Sequence, residues 1–119
     1  MRVPMALCGA LLCSCIAPIV SAQDAVKVDS KHYTVVSEND QVRILKVHYG
    51  PHEKSVMHSH PNSVAVPLTD STAQFTLADG KKQTMTMKAG EALFTPAGTH
   101  LPENTDDKGM DLILVELKK

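Results

Sequence analysis

The chain has no tryptophan, two tyrosines and two phenylalanines in 119 residues, too few rings to build the stacking platform on which a single-stranded nucleic acid lies. It also lacks an excess of either charge. Twelve basic residues stand against thirteen acidic ones, net −1, which leaves no surplus of cations for a phosphate backbone. Nucleic acid is excluded as a partner on both counts. Cysteine is missing beyond residue 22, since Cys8, Cys13 and Cys15 all lie near the N-terminus; neither disulfides nor thiol chemistry is open to the rest of the chain. Past that segment no apolar run approaches the roughly 20 residues of a membrane-spanning helix. Helical periodicity, internal repeats and low-complexity tracts are absent as well.

Residues 1–22 have a different character. Arg2 precedes an apolar run from Val3 to Leu12, Pro18 breaks the stretch after it, and Val20-Ser21-Ala22 offers a small-residue site, the pattern of a secretory signal peptide. Cleavage between Ala22 and Gln23 predicts a periplasmic or secreted protein. The rival reading takes Leu12-Cys13-Ser14-Cys15 as a lipoprotein processing site, which leaves Cys15 lipidated and the domain tethered to a membrane. A domain of this size buries only about 60–65% of its unfolded surface. With no disulfides, a homodimer or a bound metal is the expected extra stabiliser.

What the sequence does have is period two. From Thr34 onward apolar residues alternate with polar ones in segments of four to eight, separated by Gly, Pro, Asn and Asp clusters, which predicts an all-β sandwich or barrel of seven or eight antiparallel strands. Strands are expected near Thr34–Ser37, Val42–Tyr49, Val64–Leu68, Ala73–Ala78, Gln83–Lys88, Ala92–Thr95 and Met110–Leu117. Turns fall at Glu38-Asn39-Asp40, Gly50-Pro51, Asp79-Gly80 and Asp106–Gly109. The Asp79-Gly80 pair predicts a type I′ hairpin, which sets Phe75 and Leu77 opposite Met85 and Met87. Residues 23–33 carry no pattern and read as a flexible arm, or as an edge strand exchanged in a dimer. The β domain then spans residues 34–119.

Six histidines, His32, His48, His52, His58, His60 and His100, all lie beyond the N-terminal segment, and two form His58-Ser59-His60. In an extended chain residues i and i+2 project from one face, so both imidazoles can converge on one ion. A third ligand from another strand completes a facial site. Some forty residues later come Gly90-Glu91, a short strand, Pro96-Ala97-Gly98-Thr99-His100 and then Asn104.

On these residues the chain resembles the small single-domain members of the cupin superfamily, from about Val35 to Lys118. Gly50 through His58 and His60 correspond to the first cupin motif; Gly90, Pro96, Gly98, His100 and Asn104 correspond to the second. The resemblance implies a jelly-roll β-barrel with a divalent transition metal held by His58, His60 and His100. It also implies an outer contact from Asn104 and a homodimer. Three features depart from the pattern. The metal-binding Glu of the first motif has no counterpart, because Val64 and Ala65 stand where it would fall. Ser71 replaces the motif's closing Gly, and one residue rather than two separates Gly98 from His100. Pro67 interrupts a ladder strand, which predicts an edge or a bulge there.

Without the Glu, three neutral imidazoles leave two or three coordination positions open. That set resembles the sites of cysteine dioxygenase and the diketone-cleaving dioxygenases, and suits iron, zinc, nickel or copper. The expected function is dioxygenase-like or isomerase-like chemistry on a small molecule, with a non-catalytic ligand-binding or structural module as the alternative. Glu53 and Glu103 are the only carboxylates near the motifs and read as solvated groups; Asn104 reads equally well as a cap on the turn after it. His32, His48 and His52 read as surface or hydrogen-bonded residues, and Met57, Met85 and Met87 as filler rather than soft copper ligands.

Overall fold

The computed structural model describes residues 23–119; the signal-peptide reading, with Cys15, falls outside them. A one-turn helix α1 (Ala25–Val28) precedes nine strands: β1 (Tyr33–Glu38), β2 (Val42–Tyr49), β3 (His58–His60), β4 (Ser63–Pro67), β5 (Ser71–Leu77), β6 (Lys82–Met87), β7 (Leu93–Thr95), β8 (Gly98–Asn104) and β9 (Met110–Leu117). They form two antiparallel sheets, one ordered β1-β2-β9-β4-β7 and the other β3-β8-β5-β6. Alternation decides what faces inward. On β9, Met110, Leu112, Leu114 and Glu116 are buried while their neighbours are half-buried, and on β2 Leu45, Val47 and Tyr49 are buried in step. The apolar side chains among them form the core between the sheets.

The two sheets of the jelly roll do not close into a barrel. Edge strands β6 and β7 belong to different sheets, and no ladder joins them. Two of the nine strands, β3 and β8, were not among those expected from the alternation. β3 is only three residues long, and β8 contains Pro102, so neither makes a usable period-two pattern.

Other local expectations are corrected. The hairpin after β5 is not type I′: among residues 78–80 only Gly80 has positive φ, at 86°, and Leu77 and Lys81 flank a three-residue loop in which Gly80 N–H donates to Leu77 C=O. That is the type I turn with a left-handed glycine, and its extra residue changes the register. Ala73 faces Met85, Ser71 faces Met87 and Phe75 faces Gln83. Pro67 is neither on an edge strand nor at a bulge, because β4 lies between β9 and β7. It is the last residue of β4, past the Ser63–Ala65 stretch paired with β7. Leu68 N–H reaches Asp111 on β9 whereas Pro67 C=O accepts from Gly90 on the other side. Its missing N–H therefore faces the side where no ladder bond is due.

Residues 23–33 are folded, not a loose arm. Asp24 caps α1 by accepting from Val26 N–H, Ser59 N–H donates to Gln23 C=O, and Ala25 and His32 are buried. His32 stacks on Tyr49 at 4.2 Å and its Nδ1 meets Asp29 at 2.7 Å.

Candidate metal centre

Register brings the three histidines together. β3 pairs with β8 so that His58 faces His100 and His60 faces Gly98; directly opposed residues share a face, and His60, two residues along, shares it too. The ring centroids lie 4.8 Å (His58 to His60), 5.0 Å (His58 to His100) and 5.3 Å (His60 to His100) apart. One ligand nitrogen from each falls within 4.8 Å of the others. On the opposite face of the pair, the Ser59 and Thr99 hydroxyls hydrogen-bond to each other.

Hydrogen bonds fix which nitrogen His58 and His60 offer. His58 Nδ1 lies 2.8 Å from Val56 C=O; a carbonyl only accepts, so Nδ1 carries the proton and Nε2 a free lone pair. His60 Nδ1 lies 2.7 Å from the Glu116 carboxylate, with the same result. The Nε2 atoms of His58 and His100 are buried and have no partner, an arrangement that costs about 1–3 kcal/mol per group when nothing binds there. Burial, reinforced by the neighbouring imidazoles, lowers His58 to about 4 and His100 to about 3. Both are therefore neutral bases at physiological pH, the form that binds metal.

Glu116 is the residue that the sequence reading missed. It lies on β9, in the other sheet and 56 residues from His60, and appears in the chain only as one polar position in an aliphatic strand. It is 2% exposed. Burial pushes its carboxyl up, but hydrogen bonds from His60 and Arg43 outweigh that and hold it below the usual value. Arg43 Nε donates to Glu116 at 2.7 Å while its terminal nitrogens grip Asp24 at 2.6 and 2.9 Å. A chain of charge thus runs from His60 through Glu116 and Arg43 to the cap of α1. A carboxylate behind a histidine in this way fixes its tautomer and orientation, as in metal sites where the ring is a ligand.

The remaining candidates lie elsewhere. Asn104 is fully buried, and its amide donates to Gly50 and Lys108 carbonyls while its oxygen accepts from Asp106 N–H; these contacts cap the turn after β8. Glu53 pairs with Lys31 and folds back to accept from Gly50 N–H, and the two together hold it at about 2. A Cβ on Gly50 would lie 2.7 Å from that carboxylate, which accounts for glycine there. Glu103 is half-buried on β8, opposite Gln74. His52 is exposed at φ 58° and pairs with Asp107, and His48 is exposed beside Asp111. Met85 and Met87 line a cavity of about 350 Å³ between the sheets, whereas Met57 does not. His60 and His100 face that cavity, and Tyr33 packs edge-on to His58 at 4.9 Å.

No protein-family model and no curated protein matches the sequence. Among solved structures the chain is similar to a cupin domain from Bordetella pertussis Tohama I at 24% identity and TM-score 0.69, over 73% of this chain and 92% of that one. A conserved double-stranded β-helix protein from Klebsiella pneumoniae matches at 19% identity and TM-score 0.58, covering 71% and 74% of the two chains. The polyketide cyclase RemF from Streptomyces resistomycificus matches at 15% and TM-score 0.54, covering 73% and 64%. With its two sheets, its strand order and its inward-facing histidines, the chain has the cupin jelly-roll fold.

Proposed function

We propose that this chain is an exported cupin that holds one divalent transition-metal ion on the Nε2 atoms of His58, His60 and His100. The observation that carries this is the pair of buried, unpartnered Nε2 atoms on His58 and His100, within ligand range of His60. All three donors are neutral nitrogens, a set suited to iron, zinc, nickel or copper. An ion there supplies Lewis-acid polarisation of a bound oxygen or, if redox-active, a site for oxygen chemistry. The protein's own part is to orient the rings through Val56 and Glu116, exclude water and admit a small molecule through the cavity. Dioxygenase-like turnover fits this division of labour, because among the described residues no carboxylate, lysine or arginine lines the cavity to act as acid or base; isomerase-like turnover would have to draw its acid or base from Tyr33 or Tyr49. The same observation supports a second reading, a non-catalytic small-ligand binder.

Export rests on the signal pattern of residues 1–22. Dimerisation rests on edge strand β1, where Val35 and Val36 are 39% and 60% exposed. The test is to purify the protein from its export compartment, sequence its N-terminus, measure its mass by light scattering and determine its metal content. A chain starting at Gln23, dimeric and with about one equivalent of transition metal, is expected. Metal-dependent oxygen uptake or isomerisation with thiols, diketones or phenolics separates enzyme from binder, and a metal-free protein that takes up no added ion overturns the reading.

A further inference from the structure

The cavity in front of the histidines carries information about what it receives. None of its lining residues is lysine, arginine, aspartate or glutamate. Its only ionisable side chains are His60, His100, Tyr33 and Tyr49. His60 is engaged by Glu116 from behind, and the two tyrosine hydroxyls bond to each other at 2.6 Å. Burial raises both phenols, so neither brings a negative charge. The walls between are mostly aliphatic or aromatic, with Leu112 and Leu114 on one sheet and Leu77 and Phe75 on the other, and Gln83, Thr95 and Thr99 as uncharged polar positions. Phe75 lies 5.1 Å from the His100 ring.

The gap between β6 and β7 supplies the entrance. Met85 on β6 and Phe94 on β7 line the cavity, yet they are 37% and 61% exposed, and they belong to edge strands of different sheets that no ladder joins. A ligand entering there meets no charged side chain, only apolar surface with Gln83 and Thr95 among it, until it reaches His60 and His100. About 350 Å³ lies at the small end of the range for ligand pockets, roughly 300–1,000 Å³.

We infer that the ligand is a largely apolar molecule of about one ring with an uncharged body, carrying a single polar head that binds the ion beside His60 and His100. The head rests on the metal reading above; the body rests on the lining alone. A second carboxylate, a phosphate or an ammonium on the body has no counter-charge in the cavity and is excluded by the cost of burying it unpaired. That removes sugar phosphates, dicarboxylates and free amino acids from the ligands this cavity accepts; the charged pocket lined by Arg43, Glu116 and Lys118, which His60 also touches, is a different one.

A matched pair of probes tests it: benzohydroxamate, and the same molecule with a carboxylate para to the head. Protein labelled at the methionine methyls is titrated with each, once loaded with zinc and once without. Benzohydroxamate is expected to shift the methyls of Met85, Met87 and Met110, which line the cavity, while leaving Met57 unmoved. It should saturate at a concentration at least about 10-fold lower than its carboxylated partner. Met85→Lys, a change at the exposed mouth, is expected to narrow or reverse that preference. Equal or tighter binding of the carboxylated probe to the unaltered protein overturns the inference, as does a shift confined to Met57. Failure of the metal reading looks different: benzohydroxamate keeps its advantage over the carboxylated probe, but zinc adds nothing to it.

Discussion

At the residue scale the weight falls on Glu116, because among the described residues it is the only carboxylate that touches one of the three histidines. It does two things at once. Its charge strengthens His60 as a donor, and its acceptor oxygen keeps the proton on Nδ1. Glu116→Ala removes both and is expected to weaken metal binding about 10- to 100-fold. Glu116→Gln keeps an acceptor without the charge and should fall between. Competition against a chromophoric chelator gives the affinities, and nitrogen chemical shifts of His60 in the metal-free protein report which ring nitrogen is protonated. Equal affinities in all three proteins would show that Glu116 only packs.

The buried histidines also set a pH dependence. His58 and His100 are lowered to about 4 and about 3 from the 6.5 of an unfolded histidine. Between those values the unfolded chain binds more protons than the folded one, so stability rises with pH across this window. The metal-free protein should therefore be at full stability above about pH 6.5 and lose it progressively toward pH 3. Glu116 acts in the same sense, since its lowered value makes protonation favour unfolding. His100→Leu should flatten the curve measured by urea unfolding at successive pH values; an unchanged curve would count against the burial argument.

At the element scale, most of the site was legible in the sequence and the elements carrying it were not. His58 and His60 stood out by spacing, because chemistry at i and i+2 needs only an extended chain, and His100 through the resemblance of Gly90, Pro96, Gly98 and Asn104 to the second cupin motif. β3 and β8 did not stand out: one is three residues long, the other contains Pro102, and both owe their pairing to contacts between segments far apart in the chain. Glu116 was hidden for a related reason, as nothing local marks a glutamate on β9 as the partner of a histidine in the opposite sheet. The β5–β6 hairpin shows the limit of turn chemistry. Asp79-Gly80 marked the turn, but whether one or two residues take positive φ depends on how the strands register. Gly80, at φ 86° with no atom within 4 Å of where a Cβ would sit, isolates the backbone contribution. Gly80→Ala should cost about 1–2 kcal/mol by left-handed strain alone, measurable as a lower urea midpoint at unchanged slope. No loss would mean that the turn relaxes to another form.

At the scale of the whole molecule, the fold class follows from the alternation, whereas the gap between β6 and β7 is set by how the two sheets meet. On the proposed reading, ligand entry and metal binding act on one small core. An ion at about 100 times its dissociation constant stabilises the folded state by about 2.7 kcal/mol, and a domain of this size shifts by roughly 4–8 °C per kcal/mol. Chelation should therefore lower Tm by about 10–20 °C. The most direct test of the three-histidine account compares the unaltered protein with His58→Ala/His60→Ala for metal content and Tm, with circular dichroism to verify that both fold. The account predicts about one equivalent of transition metal in the former, none in the latter, and a chelator-sensitive Tm only in the former. Equal occupancy and equal Tm in the two proteins would contradict it.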